Sequence, residues 1–106
     1  DHYDINQRWD LSTIFSIEGV VNVNELSGFT ADAIEHEYNT YWSDGKHPGT
    51  NKKIQMSLPK AELTWLQLWF AIDKLSKISG DDEHIYIEEI TYSKTNPNTL
   101  VVFMGS

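Results

Sequence analysis

The chain of 106 residues contains no cysteine, which removes disulfides, zinc-thiolate sites and thiol nucleophiles and leaves no redox signal of compartment. Basic residues are scarce: eight Lys and Arg stand against sixteen Asp and Glu, for a net charge of −8. That balance argues against nucleic acid and anionic membranes as partners, because phosphate binding is driven by counterion release onto clustered cations. Long apolar runs are also missing, and Asp1 to Asp10 has neither the basic nor the apolar region of a signal peptide. The expected location is the cytoplasm. Internal repeats, low-complexity stretches and linkers are not found.

What is present is a globular composition. Forty per cent of the residues are hydrophobic, and four Trp, five Tyr and four Phe supply large apolar area for so short a chain. The expectation is one α+β domain spanning residues 1–106, able to bury a single core. Its most legible stretch runs from Ser57 to Gly80. Ala61, Trp65, Leu68, Ile72 and Leu75 recur at helical spacing and predict a long central helix over about 58–79. Ser57 is its expected N-cap, with Pro59 in the first turn, Lys74 and Lys77 near the negative end of the dipole and Gly80 just past it. Leu63, Leu66 and Phe70 keep helical spacing on roughly the opposite side. A second apolar stripe needs cover from another layer, a second copy of the chain or a partner.

Elsewhere the pattern is weaker. Asp1 to Leu11 reads as an irregular arm that drops Trp9 onto the core, and Ser12 to Ile17 and Val20 to Val23 as β structure broken at Glu18 and Gly19. A shorter helix is expected over about 31–42, capped by Thr30, with Ile34, Tyr38 and Tyr41 on one face. Asp44 to Lys53 has the composition of an exposed loop, and Ile54 to Leu58 that of a short strand. His84 to Tyr92 predicts a strand with a bulge near Glu88 and Glu89, because Ile85 and Ile87 differ in parity from Ile90 and Tyr92. Thr99 to Met104 closes a C-terminal hairpin. Leu100 to Phe103, apolar on both faces, belongs in the middle of a mostly antiparallel sheet on which both helices pack.

No catalytic or cofactor motif stands out. His36 lies between Glu35 and Glu37, but sequence neighbours on a helix point apart, and Thr40 breaks the H-E-x-x-H pattern. His84 follows Asp81, Asp82 and Glu83 without the spacing of a calcium loop, and Gly49 is followed by Thr50 and Asn51 rather than by the Lys of a phosphate loop. No metal, no cofactor and no catalytic residue is expected. The charge is uneven: −8 over residues 1–44, +4 over 45–79 and −4 over 80–106.

Small size, acidity, abundant aromatics and no catalytic signal form the profile of a non-enzymatic binding protein. By analogy of composition, the expectation is an immunity or inhibitor protein that masks a basic partner such as a nuclease toxin by occluding its active site. The acidic contacts expected are Glu35, Glu37, Asp81, Asp82, Glu83, Glu88 and Glu89; the apolar ones are Leu63, Leu66, Phe70 and Trp42. A self-assembling subunit, with a homodimer through the Leu63, Leu66 and Phe70 stripe, is the alternative. A third reading is a small ligand-binding or catalytic domain with a pocket between helix and sheet.

Overall fold

The computed structural model describes residues 24–45, 47–84 and 86–105. In chain order the elements are β1 (Leu26–Thr30), β2 (Ala33–Asn39), α1 (Thr40–Asp44), β3 (Asn51–Ser57), β4 (Glu62–Thr64), α2 (Trp65–Ser79), β5 (Tyr86–Tyr92) and β6 (Thr99–Gly105). Four strands form one sheet in the order β3-β2-β6-β5, and β1 pairs with β4 in a separate ribbon. The inner pair β2 and β6 is parallel, while β3 and β5 lie antiparallel on the outside. The result is the expected α+β fold on a mostly antiparallel sheet, with one parallel pair at its centre, the expected C-terminal hairpin made by β5 and β6, and β6 in an interior position.

Helix α2 covers one face of this sheet. Leu68, Ile72 and Leu75 point inward with Trp69 and Ala71, and they meet Ile34 of β2, Leu100 and Val102 of β6 and Ile87 of β5 in one core. Ile54 and Met56 of β3 flank it. The helix stops as its sequence requires: Gly80 takes φ 69°, its amide bonding back to the carbonyls of Ser76 and Lys77, and only Gly adopts that left-handed conformation without steric cost.

Its start differs from expectation. The N-cap is Thr64, not Ser57, and Thr64 and Gln67 form a reciprocal capping box, with Gln67 N on Thr64 Oγ1 at 3.2 Å and Thr64 N on Gln67 Oε1 at 2.9 Å. The T-x-x-Q signal outweighs Pro59, which sits in the preceding connection. Residues 62–64 instead extend β4 along β1, with Leu26 opposite Thr64 and Thr30 opposite Glu62. The second helical stripe therefore loses Leu63, which belongs to a strand and is wholly buried, while Leu66 and Phe70 remain on the helix and are half-buried. Ala61, expected on the first stripe, precedes the helix and is exposed.

The shorter helix is likewise displaced. Residues 33–39 form β2, and helix begins only at Thr40, capped by Asn39, whose Oδ1 accepts from Tyr41 N at 2.9 Å. The ambiguity is physical: a spacing of four, as from Ile34 to Tyr38, keeps one face in a helix and in a strand alike. His36 between them decides it, being buried on the same side. Thr30 ends β1, its amide donating to the Tyr92 hydroxyl at 3.1 Å. Across from β2, Asn51, Lys52 and Lys53 pair with Asn39, Tyr38 and Glu37, which turns the second part of the expected loop into strand.

The bulge in β5 falls where the parity change put it, between Ile87 and Glu89. It lets Ile87 and Ile90 both turn toward the core side. The arm at residues 1–11 and the β structure at 12–17 and 20–23 lie outside the described residues. No described helix is long and apolar enough to cross a membrane.

Candidate functional site

The two inner strands share only a short ladder: Ala33 with Thr99, Ile34 with Leu100 and Glu35 with Val101. Beyond it each follows its outer neighbour. β2 stays on β3 as far as Asn39 opposite Asn51, and β6 stays on β5 as far as Gly105 opposite Tyr86. The sheet thus forks, and a cleft of about 470 Å³ opens between the prongs. Because it lies between strands, it draws side chains from both sheet faces. Glu35, Glu37 and Phe103 come from the face away from α2, and His36, Tyr38 and Met104 from the other. Trp42, Asp81 and His84 complete it from the segments beyond the strand ends.

Two imidazoles are fixed at this site. His36 is buried, and its Nδ1 lies 3.1 Å from the carbonyl oxygen of Val102, the first residue of β6 past the shared ladder. A carbonyl only accepts, so Nδ1 donates, and Nε2 of the neutral ring is left as an acceptor. His84 repeats this logic: Nδ1 stands 2.8 Å from Asp81 Oδ2 and donates to it. Asp81 is itself buried, and its Oδ1 accepts from the amides of Glu83 at 2.8 Å and His84 at 3.1 Å. Its carboxylate is consumed in holding the turn and orienting His84, which removes it from the surface set of acids expected from sequence.

Aromatic rings surround the imidazoles. Tyr38 stacks beside His36 at 6.4 Å and 19°, and Trp42 meets His84 edge-on at 5.2 Å. Tyr41 bridges outward, touching Trp42 at 5.0 Å and His47 at 5.2 Å. Trp42 nonetheless keeps 45% of its surface open.

The sheet face turned away from α2 carries acids around an apolar ridge. Glu35 sits between Gln55 and Val101, Glu37 lies opposite Lys53, and Glu89 lies opposite Phe103. Lys53 Nζ approaches Glu35 Oε2 at 3.7 Å, a half-exposed pair of small energetic weight. Phe103 is 48% exposed in the middle of this face. Glu88 is exposed at the bulge, close enough to Gly105 that a Cβ there would run into the Glu88 carboxylate. Asp82 and Glu83 are exposed on the turn that supplies Asp81 and His84.

The expected contact residues therefore divide. Glu35, Glu37 and Trp42 line the fork, Glu89 lies opposite Phe103, Glu88 stands at the bulge beside Gly105, and Asp82 and Glu83 are exposed on the turn after α2. Leu63 and Asp81 are interior. Participants outside the expected contacts include His36, Tyr38, His84 and Phe103. Strand alternation of His36 and Tyr38 with Glu35 and Glu37 was the available signal for the first two. Phe103 was masked by its apolar neighbours, which made both faces of β6 look covered.

Among the described residues no three His, Asp or Glu side chains gather in metal-binding geometry, and no Ser or Thr hydroxyl lines the cleft. What the arrangement offers is hydrogen-bond acceptors and aromatic faces. No protein-family model matches the chain, and no curated protein or solved structure matches it either.

Proposed function

We propose that this chain is a non-enzymatic acidic binding protein that neutralises a basic protein, most simply an immunity or inhibitor protein that occludes the active site of a nuclease toxin in the cytoplasm. The observation that carries the reading is the exposed Phe103 on a sheet face bordered by Glu35, Glu37 and Glu89. A central aromatic anchor inside a charged rim is how a small interface combines buried energy with electrostatic selectivity. A nuclease active site is lined with cations that meet phosphates, and carboxylates spaced along neighbouring strands are the matching surface. The net charge of −8 adds long-range steering toward such a partner. Self-association through the same face is disfavoured by that charge, because an isologous contact would set Glu35, Glu37 and Glu89 against their own copies.

Inhibition assays test the proposal directly. Purified basic ribonucleases and deoxyribonucleases, including toxin domains, are titrated with the protein, and residual nucleic-acid cleavage is followed at several salt concentrations. Stoichiometric inhibition is expected for the cognate class, with each of Glu37→Gln and Glu89→Gln weakening it about three- to tenfold, mainly through slower association. Inhibition that ignores both ionic strength and these substitutions, or its absence across the panel, overturns the reading.

A further inference from the structure

We propose that the fork between β2 and β6 is a receptor for a single guanidinium group, which on the binding reading above is supplied by an arginine side chain of the partner. The clause about the partner rests on that reading; recognition of the group rests on the cleft itself.

The fork offers acceptors, His36 and Glu37 among them, beside donors on Lys53, Asn39, Asn51, Tyr38 and Trp42. Guanidinium carries five N–H donors and no acceptor, so it is the acceptors of the fork that it would engage. His36 supplies the least expected acceptor. It is only 5% exposed, its Nδ1 is committed as a donor to Val102, and its Nε2 makes no hydrogen bond with another described residue while the ring lines the cleft. An acceptor that opens on a cleft can take a donor from whatever enters it. Glu37 adds the countercharge. It is exposed on the β2 prong, one residue from His36 on the opposite strand face, so the two can bracket a group that enters between the prongs.

The walls match the shape of the group as well as its charge. Tyr38 and Trp42 present aromatic rings to the same cleft, and a planar, weakly hydrated guanidinium stacks on such rings more readily than a compact ammonium does. The volume of about 470 Å³ accommodates the alkyl stem along Met104 and Phe103. Asp81 takes no direct part, since both its oxygens are engaged; it fixes the orientation of the His84 ring by accepting from Nδ1. The opposing charge is Lys53, which lines the cleft and approaches Glu35 at 3.7 Å. Lys53 occupies the Glu35 carboxylate and leaves Glu37 as the one that an incoming cation meets.

The probe is Nα-acetylarginine amide, titrated into the isotopically labelled protein while the Trp42 indole and the His36 and His84 imidazole resonances are followed. Nα-acetylcitrulline amide, nearly the same shape without the charge, is the control. Saturable shifts confined to these three rings are expected, with citrulline weaker by about tenfold or more. Glu37→Gln weakens the arginine titration about tenfold, and Lys53→Met strengthens it about two- to threefold by removing the competing cation. Equal shifts from the two probes, or shifts that miss the fork, overturn the inference, and that comparison needs no variant to fold. Saturation by the arginine probe when no basic nuclease is inhibited keeps the receptor and discards the partner reading. A nuclease inhibited with undiminished strength in the presence of saturating arginine amide keeps the receptor and the partner reading but overturns the clause that the partner supplies the guanidinium.

Discussion

The two ends of the four-stranded sheet are built from the same strands and could hardly differ more. At one end β2 and β6 are laddered, and Ile34 and Leu100 sink into the core beneath α2. At the other end the ladder is gone, and the equivalent inward row on β2 continues as His36 and Tyr38. An imidazole cannot be buried at no cost without a partner, and His36 finds its partner in the first carbonyl past the ladder. Closure therefore follows aliphatic side chains and opening follows polar and aromatic ones. Buried aliphatic side chains are concentrated at the laddered end, and hydrogen-bonding and aromatic ones at the forked end.

Substitutions can break or sharpen that contrast. The largest effect belongs to the closed end: Leu68→Ala and Leu63→Ala are each expected to cost about 3 kcal/mol in denaturant unfolding, because both side chains are wholly buried. The half-buried Leu66→Ala should cost clearly less; equal losses at Leu63 and Leu66 would restore a continuous helical stripe and contradict strand β4. Next comes the pivot between the two ends. Asp81→Ala removes three hydrogen bonds from a buried carboxylate and is expected to cost about 2 kcal/mol, with the Trp42 indole resonance shifting as His84 loses its orientation. Thr64→Ala opens the capping box of α2 and should cost about 1 kcal/mol, read from the unfolding midpoint. The smallest stability change is expected at the open face: Phe103→Ala within about 0.5 kcal/mol of the parent. The same substitution should abolish nuclease inhibition, and a stability loss as large as that of Leu68→Ala would make Phe103 a core residue instead.

Much of this organisation was legible in the chain. Gly80 as the helix stop, the bulge at Glu88 and Glu89, the terminal hairpin and the interior position of β6 all follow from local chemistry: a left-handed φ that suits Gly, a change of side-chain parity, turn residues at 96–98, and an apolar run. The errors share a different cause. Residues 33–39 have a spacing compatible with two periods, and the strands that resolve the choice, β3 and β6, are distant in sequence. Residues 58–64 look helical only while β1 is out of view, since pairing with Leu26–Thr30 makes Glu62–Thr64 a strand.

The acidic, cysteine-free, aromatic-rich composition and the stop of α2 at Gly80 were determined by the sequence alone, because charge and the left-handed preference of Gly act over a few residues. Which glutamates surround Phe103, which acid is consumed by His84, and where β2 and β6 part were decided only by the tertiary structure. Those outcomes depend on which strands stand beside one another, and pairing across 66 residues, as between His36 and Val102, leaves no trace in either local pattern.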